Sequence, residues 1–124
     1  MVPVALARLV RRAAQGYDDG LIPIWLPELS QEEVLVICHS IAQSEMALTS
    51  GSDNRAHQLL AAELRNLQYD LDAVIADGFR DPAVFFKGMS LLTETERRDW
   101  WARIGSKGLR FFIPAPLIAH LADD

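Results

Sequence analysis

Residues 54–76 read NRAHQLLAAELRNLQYDLDAVIA, and the way this stretch folds decides the architecture. His57, Leu60, Leu64, Leu67, Leu71 and Val74 recur at alternating steps of three and four, the spacing of an a/d seam on one face of a helix. Neither proline nor glycine interrupts the run before Gly78, and Ser52 or Asp53 stands where a cap is needed. The spacing therefore predicts one long central helix of about 33 Å. A second stripe, Leu59, Ala62, Asn66, Tyr69, Ala73 and Ala76, runs down the opposite side. It is small and semi-apolar where a surface helix normally carries charge, so this helix is expected to be covered on two sides.

Shorter helices are predicted around it. Pro3 suits a first helical position, and Gly16 a left-handed stop, for a helix over 3–15 with Leu6, Leu9, Val10 and Ala13 inward and Arg8, Arg11, Arg12 and Gln15 outward. Ser30 and Glu33 form a capping box, with Leu29 and Val34 at the positions of a hydrophobic staple. They open a helix to about Leu48 with Val34, Ile37, Cys38, Ile41, Ala42 and Leu48 inward. Asp81-Pro82 opens a short helix that Gly88 is expected to break. Thr93 and Glu96 make a second capping box for a helix to Ile104, with Gly105 as its stop, and Pro116 opens a terminal helix to about Ala122.

Between the first two helices, Asp19-Gly20, Pro23 and Pro27 exclude a helix interior. The segment nevertheless carries Leu21, Ile22, Ile24, Trp25, Leu26 and Leu29, and a connector that apolar must lie on something. Residues 21–26 and 109–113 are the two candidate strands, able to pair with each other. A lone two-stranded ribbon is marginal in water, so it is read as a minor addition. The fold expected is all-α: one irregular bundle of about five or six helices, a single domain over 1–124, around the long helix at 54–76.

The totals agree with a globular chain. Its 124 residues are 50% hydrophobic and 23% charged, with a net charge of −5, a composition that folds and a balance that makes nucleic acid an unfavourable partner. One cysteine, Cys38, permits no intrachain disulfide, which suits a reducing compartment. No apolar run approaches the roughly 20 residues that span a bilayer, and the opening MVPVALARLV places its arginines after the apolar stretch, unlike a secretion signal. A cytoplasmic protein without membrane contact is expected.

Motifs for chemistry are sparse. Cys38 and His39 are neighbours on a helix and diverge by about 100°, so they do not chelate together. No Cys-x-x-Cys, His-Glu-x-x-His, nucleophile elbow or glycine-rich phosphate loop is present. No metal, cofactor or catalytic residue is assigned, and an enzyme with an unrecognised site stays as an alternative. Asp70 and Asp72, two apart, do not face each other, and Glu63, Asp70 and Asp77 read as a solvated acidic flank. Arg97, Arg98 and Arg103 on the helix 94–104 raise a DNA-binding regulator as another alternative, against which Glu94 and Glu96 stand at the end that would meet phosphate.

Adjacent Trp100 and Trp101 cannot both enter one core from a regular helix, so Trp100 is expected to be buried and Trp101 to sit at a boundary. The reading that emerges is a non-catalytic protein–protein interaction module. It would be a small regulator or adaptor in the manner of an antitoxin, immunity protein or inhibitor, binding another protein or a second copy of itself. Trp25, Leu59, Ala62, Asn66, Tyr69, Ala73 and Trp101 are its expected contact residues, because apolar surface that a small helical domain does not need usually marks a partner.

Overall fold

A computed structural model describes residues 4–46, 62, 63, 66, 67, 69–75 and 78–122, with only the backbone of 44–46 and 122. The described residues are mostly helical, with one two-stranded antiparallel sheet among them. In chain order the elements are α1 (Val4–Ala14), β1 (Ile22–Trp25), α2 (Gln31–Met46), α3 (Asp70–Val74), α4 (Pro82–Leu91), α5 (Glu94–Trp100), a π-helical turn (Trp101–Gly105), α6 (Ser106–Gly108), β2 (Leu109–Phe112) and α7 (Ala115–Ala122).

The helix starts follow from local chemistry. The Ser30 hydroxyl accepts from the Glu33 N–H at 3.1 Å while the Glu33 carboxylate accepts from the Ser30 N–H at 2.9 Å. Thr93 and Glu96 repeat the exchange at 3.1 and 2.8 Å, and the Asp81 carboxylate accepts from the Ala83 N–H just ahead of Pro82's helix. Each pair satisfies donors that a helix N-terminus leaves orphaned. At the other end of α1, Gly16 takes φ +99°, its N–H bonds the Ala13 carbonyl, and the Tyr17 N–H bonds that of Arg12, a Schellman closure. A side chain at Gly16 would also meet the Ser90 backbone at 2.9 Å, so this glycine sets how closely α1 approaches the end of α4.

The backbone N–H and then the hydroxyl of Ser30 hold the Glu33 carboxyl below the usual carboxylate range, and Thr93 does the same for Glu96. A carboxyl whose folded-state pKa is depressed contributes stability above its unfolded-state pKa, near 4.3, and loses it as pH falls through the folded value. The melting temperature is therefore expected to fall below about pH 4.3. In the Glu33→Gln/Glu96→Gln variant, which keeps the acceptors but does not titrate there, that acid limb becomes shallower. Thermal unfolding followed by circular dichroism across pH 3–7 checks this, and an unchanged limb refutes it.

The ribbon is the main departure from expectation. β1 and β2 do pair, with Ile22 opposite Phe112, Pro23 opposite Phe111, Ile24 opposite Arg110 and Trp25 opposite Leu109. They lie at the centre of the molecule. Pro23, Ile24, Phe111 and Phe112 are all buried, and neighbouring strand residues point to opposite faces, so both faces are covered. Both edges are closed as well. The Phe111 N–H donates to the Gln31 Oε1 at 2.6 Å, and the Gln31 amide donates back to the Phe111 carbonyl at 2.9 Å, so one side chain stands in for a third strand. On the far edge the Trp25 N–H reaches the Leu67 carbonyl at 3.2 Å. Pro23, opposite Phe111 where the outward-facing donors lie, costs the ladder no hydrogen bond.

Helix boundaries differ where glycine and close packing decide. α4 runs through Gly88 to Leu91, since one interior glycine costs only about 1 kcal/mol. Gly105 does not stop its helix. The Ser106 N–H reaches back five residues to the Trp101 carbonyl, and the chain widens into a π-turn before β2.

The single long helix expected over 54–76 lies largely outside the described residues, and at Leu67 and Tyr69 the chain turns out of it. The Tyr69 N–H bonds the Asn66 carbonyl, the Asp70 N–H that of Leu67 and the Asp72 N–H that of Tyr69. These are three-residue closures, and the Leu67 carbonyl that accepts from Asp70 also accepts from the Trp25 N–H. After this turn Leu71 is fully buried, Ile75 packs on the core and Val74 stands 47% exposed, so Val74 leaves the seam that its spacing assigned it.

Phe85 centres the core. Its ring meets Phe79, Phe86, Trp100 and Phe111 edge-on, with centroids 5.2–6.2 Å away, and Phe86 stacks on Phe111 at 6.0 Å. Such pairs add to the area they bury. Leu6, Ile24, Val34, Ile41, Leu71 and Ile113 fill the remainder.

Candidate functional site

Four of the seven expected contact residues, Ala62, Asn66, Tyr69 and Ala73, are individually exposed, and Leu59 lies outside the described residues. Tyr69 is 53% exposed, and the Arg80 guanidinium lies over its ring at 5.7 Å. Arg80 is itself held by Asp72. Its N–H donates to the Asp72 carboxylate at 2.9 Å, and its Nε lies 3.4 Å from the other oxygen. The result is an aromatic ring and an arginine fixed together beside Ala73 and Val74. Asp72, which the sequence reading gave no role beyond not facing Asp70, is the residue that holds Arg80 there.

The two tryptophans are not among the exposed four. Trp25 is half-buried against Gly108 and Pro27. Trp101 is half-buried too, edge-on to Trp100 at 5.3 Å and 5.9 Å from Phe111, with its Nε1–H donating to the Ala14 carbonyl at 2.9 Å. Trp100, expected buried, is likewise half-buried, and both rings reach the aromatic core because the π-turn begins at Trp101. The apolar connector also needs no partner. Leu21, Pro23 and Ile24 are sealed by their own chain, so what the connector lies on is the molecule's own core.

A feature the sequence reading passed over lies between α1 and α2. A groove of about 540 Å³ runs there, lined by Val4, Ala7, Val10 and Leu35 with Arg11, Gln31 and Glu32. Val4 is 69% exposed. Val4, Ala7 and Val10 repeat every three residues along a flank of α1. That repeat makes its apolar arc wider than one core face requires, and it was the available signal.

The arginines of the helix 94–104 are committed. Arg97 Nη1 donates to the carbonyls of Met89 and Leu92 at 3.1 and 2.9 Å. Arg98 pairs with Glu94 at 3.3 Å and Arg103 with Asp99 at 2.8 Å. A cleft of about 400 Å³ beside them, lined by Ala14, Gln15, Glu94, Arg97, Arg98 and Trp101, therefore presents paired charge, and the DNA-binding alternative gains nothing from it.

Chemistry finds little purchase among the described residues. Cys38 is buried, its Sγ accepting from the Ile113 N–H at 3.4 Å. Desolvation pushes the thiol up to about 11, so it stays protonated and unreactive at neutral pH. Among the described residues no three His, Cys, Asp or Glu side chains converge as metal ligands, and no helix is long and apolar enough to cross a membrane. His39 is half-buried, His120 is exposed, and His57 lies outside the described residues. No protein-family model matches this chain, and no curated protein sequence does.

Proposed function

We propose that this protein is a non-catalytic interaction module, a small cytoplasmic regulator or adaptor that acts by binding another protein. Its docking side is the one bearing Ala62, Asn66, Tyr69 and Ala73, which the sequence stripe extends to Leu59. The observation that carries this reading is the Tyr69–Arg80–Asp72 arrangement: a half-exposed ring under a guanidinium already fixed by a carboxylate. Tyrosine and arginine dominate binding hot spots, and preorganising them lowers the entropy lost on binding. Trp25 and Trp101 support the fold in this reading and leave the contact to α3 and its flank. A reducing compartment suits a chain whose one cysteine is buried and unpaired.

The test pairs capture from the native host with a disabled surface. Tyr69→Asp with Ala73→Glu places two carboxylates on exposed positions, so the fold should keep its melting temperature to within a few degrees. A protein retained stoichiometrically by the wild type should bind the variant at least about tenfold more weakly, a loss of roughly 1.4 kcal/mol. If that partner is a second copy joined through this side, the variant releases monomers in light scattering. Partners held equally by both proteins would remove this surface from the function.

A further inference from the structure

A second surface carries an inference independent of the α3 side. Of the arginines among the described residues, Arg12, Arg80, Arg98 and Arg103 pair with carboxylates, and Arg97 and Arg110 donate to backbone carbonyls. Arg8 and Arg11 alone have no partner there. They are three residues apart on the same exposed side of α1, and Arg11 forms one rim of the groove. The opposite rim carries Glu32 of α2, exposed and likewise without an ion-pair partner among the described residues. Between them lies an apolar floor of Val4, Ala7, Val10 and Leu35.

We propose that the groove between α1 and α2 is the seat of a second copy of this chain, related by a two-fold axis. The charge pattern selects that occupant. A two-fold contact sets the same patch against itself, so the basic α1 rim of one copy faces the acidic α2 rim of the other. Two Arg11–Glu32 pairs form across the axis, and Val4 and Ala7 of each copy cover the floor of its mate. A uniformly basic or acidic partner would satisfy one rim and be repelled by the other, and the chain's overall charge of −5 makes self-contact favourable only where the local pattern alternates. The pairs set register and the apolar floor supplies most of the affinity.

The full chain tests this by sedimentation equilibrium or light scattering over a concentration series, in about 50 mM and about 500 mM salt. A concentration-dependent dimer that weakens in high salt is expected. Arg11→Glu and Glu32→Arg, each alone, set like charges together and should weaken the dimer at least about tenfold. The doubly reversed variant restores opposite pairing and should recover it. Ala7→Glu, placed on the floor, weakens it without touching either rim. The four variants are to be compared at matched helicity and melting temperature, since Ala7, Arg11 and Glu32 are exposed. A wild type that stays monomeric at millimolar concentration, single reversals without effect, or a double reversal that fails to restore association each overturn the proposal. The charge reversals and Ala7→Glu do not touch the α3 side, whose own variant leaves this groove intact; a monomeric wild type would remove self-association through either surface while leaving capture of a different protein by the α3 side open.

Discussion

Replacing Phe85 by alanine is expected to lower the unfolding free energy by about 3–5 kcal/mol, read as a large drop in the urea midpoint. Phe85 is fully buried, and its four ring partners come from different parts of the chain: Phe79 from the turn before α4, Phe86 from α4, Trp100 from α5 and Phe111 from β2. The cost has two sources, the transfer free energy of the lost ring and the cavity left behind. Collapse into that cavity is restricted here. Phe111 is fixed through its backbone by Gln31, and Trp100 adjoins a tryptophan that is itself hydrogen-bonded. Set against a total stability of about 5–15 kcal/mol for a domain, the loss is a large fraction of the whole. Val84→Ala, one residue away but 45% exposed, should change stability by less than about 0.5 kcal/mol. Equal effects at the two positions would show that the aromatic cluster is not the centre of the core.

Gly105→Ala is expected to destabilise by about 3 kcal/mol, opposite in sign to helix propensity. The backbone at Gly105 is right-handed helical, φ −59° and ψ −45°, where alanine would ordinarily gain about 1 kcal/mol over glycine. The added methyl, however, would occupy the space of the Trp101 ring. That ring has little freedom to yield, since its Nε1–H is held by the Ala14 carbonyl and its faces by Trp100 and Phe111. Moving it breaks the link between the end of α1 and the π-turn. Urea unfolding measures the loss, and tryptophan emission should shift to the red as the indole meets water. In a Trp101→Leu background the same substitution should cost far less, giving a coupling energy above about 1 kcal/mol. A neutral or stabilising Gly105→Ala would refute the account.

What the sequence disclosed was local. The boxes at Ser30–Glu33 and Thr93–Glu96, the Asp81 cap and the Gly16 stop rest on hydrogen bonds within a few residues, and spacing alone reveals them. The candidate strands at 21–26 and 109–113 were also legible, because proline and β-branched or aromatic runs exclude the alternatives. Their weight was not. Whether a two-stranded ribbon is an ornament or the spine depends on what covers its faces and edges, and the cover comes from Gln31, Leu67 and Phe85. The same limit applies to Gly88 and Gly105, where the helix continues because packing outweighs the local penalty. It applies also to the turn that Leu67 and Tyr69 enter, where the Leu67 carbonyl meets a distant N–H of Trp25. At the candidate sites, the exposed stripe around Tyr69 could be seen in the spacing, whereas Arg80 and Asp72 entered only through the fold. The α1–α2 groove needed two helices placed side by side.

The pairing of residues 22–25 with 109–112 also bears on how the chain folds. Its partners are separated by more than eighty residues, so zipping them requires closing most of the 124-residue chain into a loop before any reward is collected. The capped helices have no such wait and can assemble first. On these topological grounds the strands are expected to pair last, as a buckle that joins residues 22–25 to 109–112 once the helices have formed.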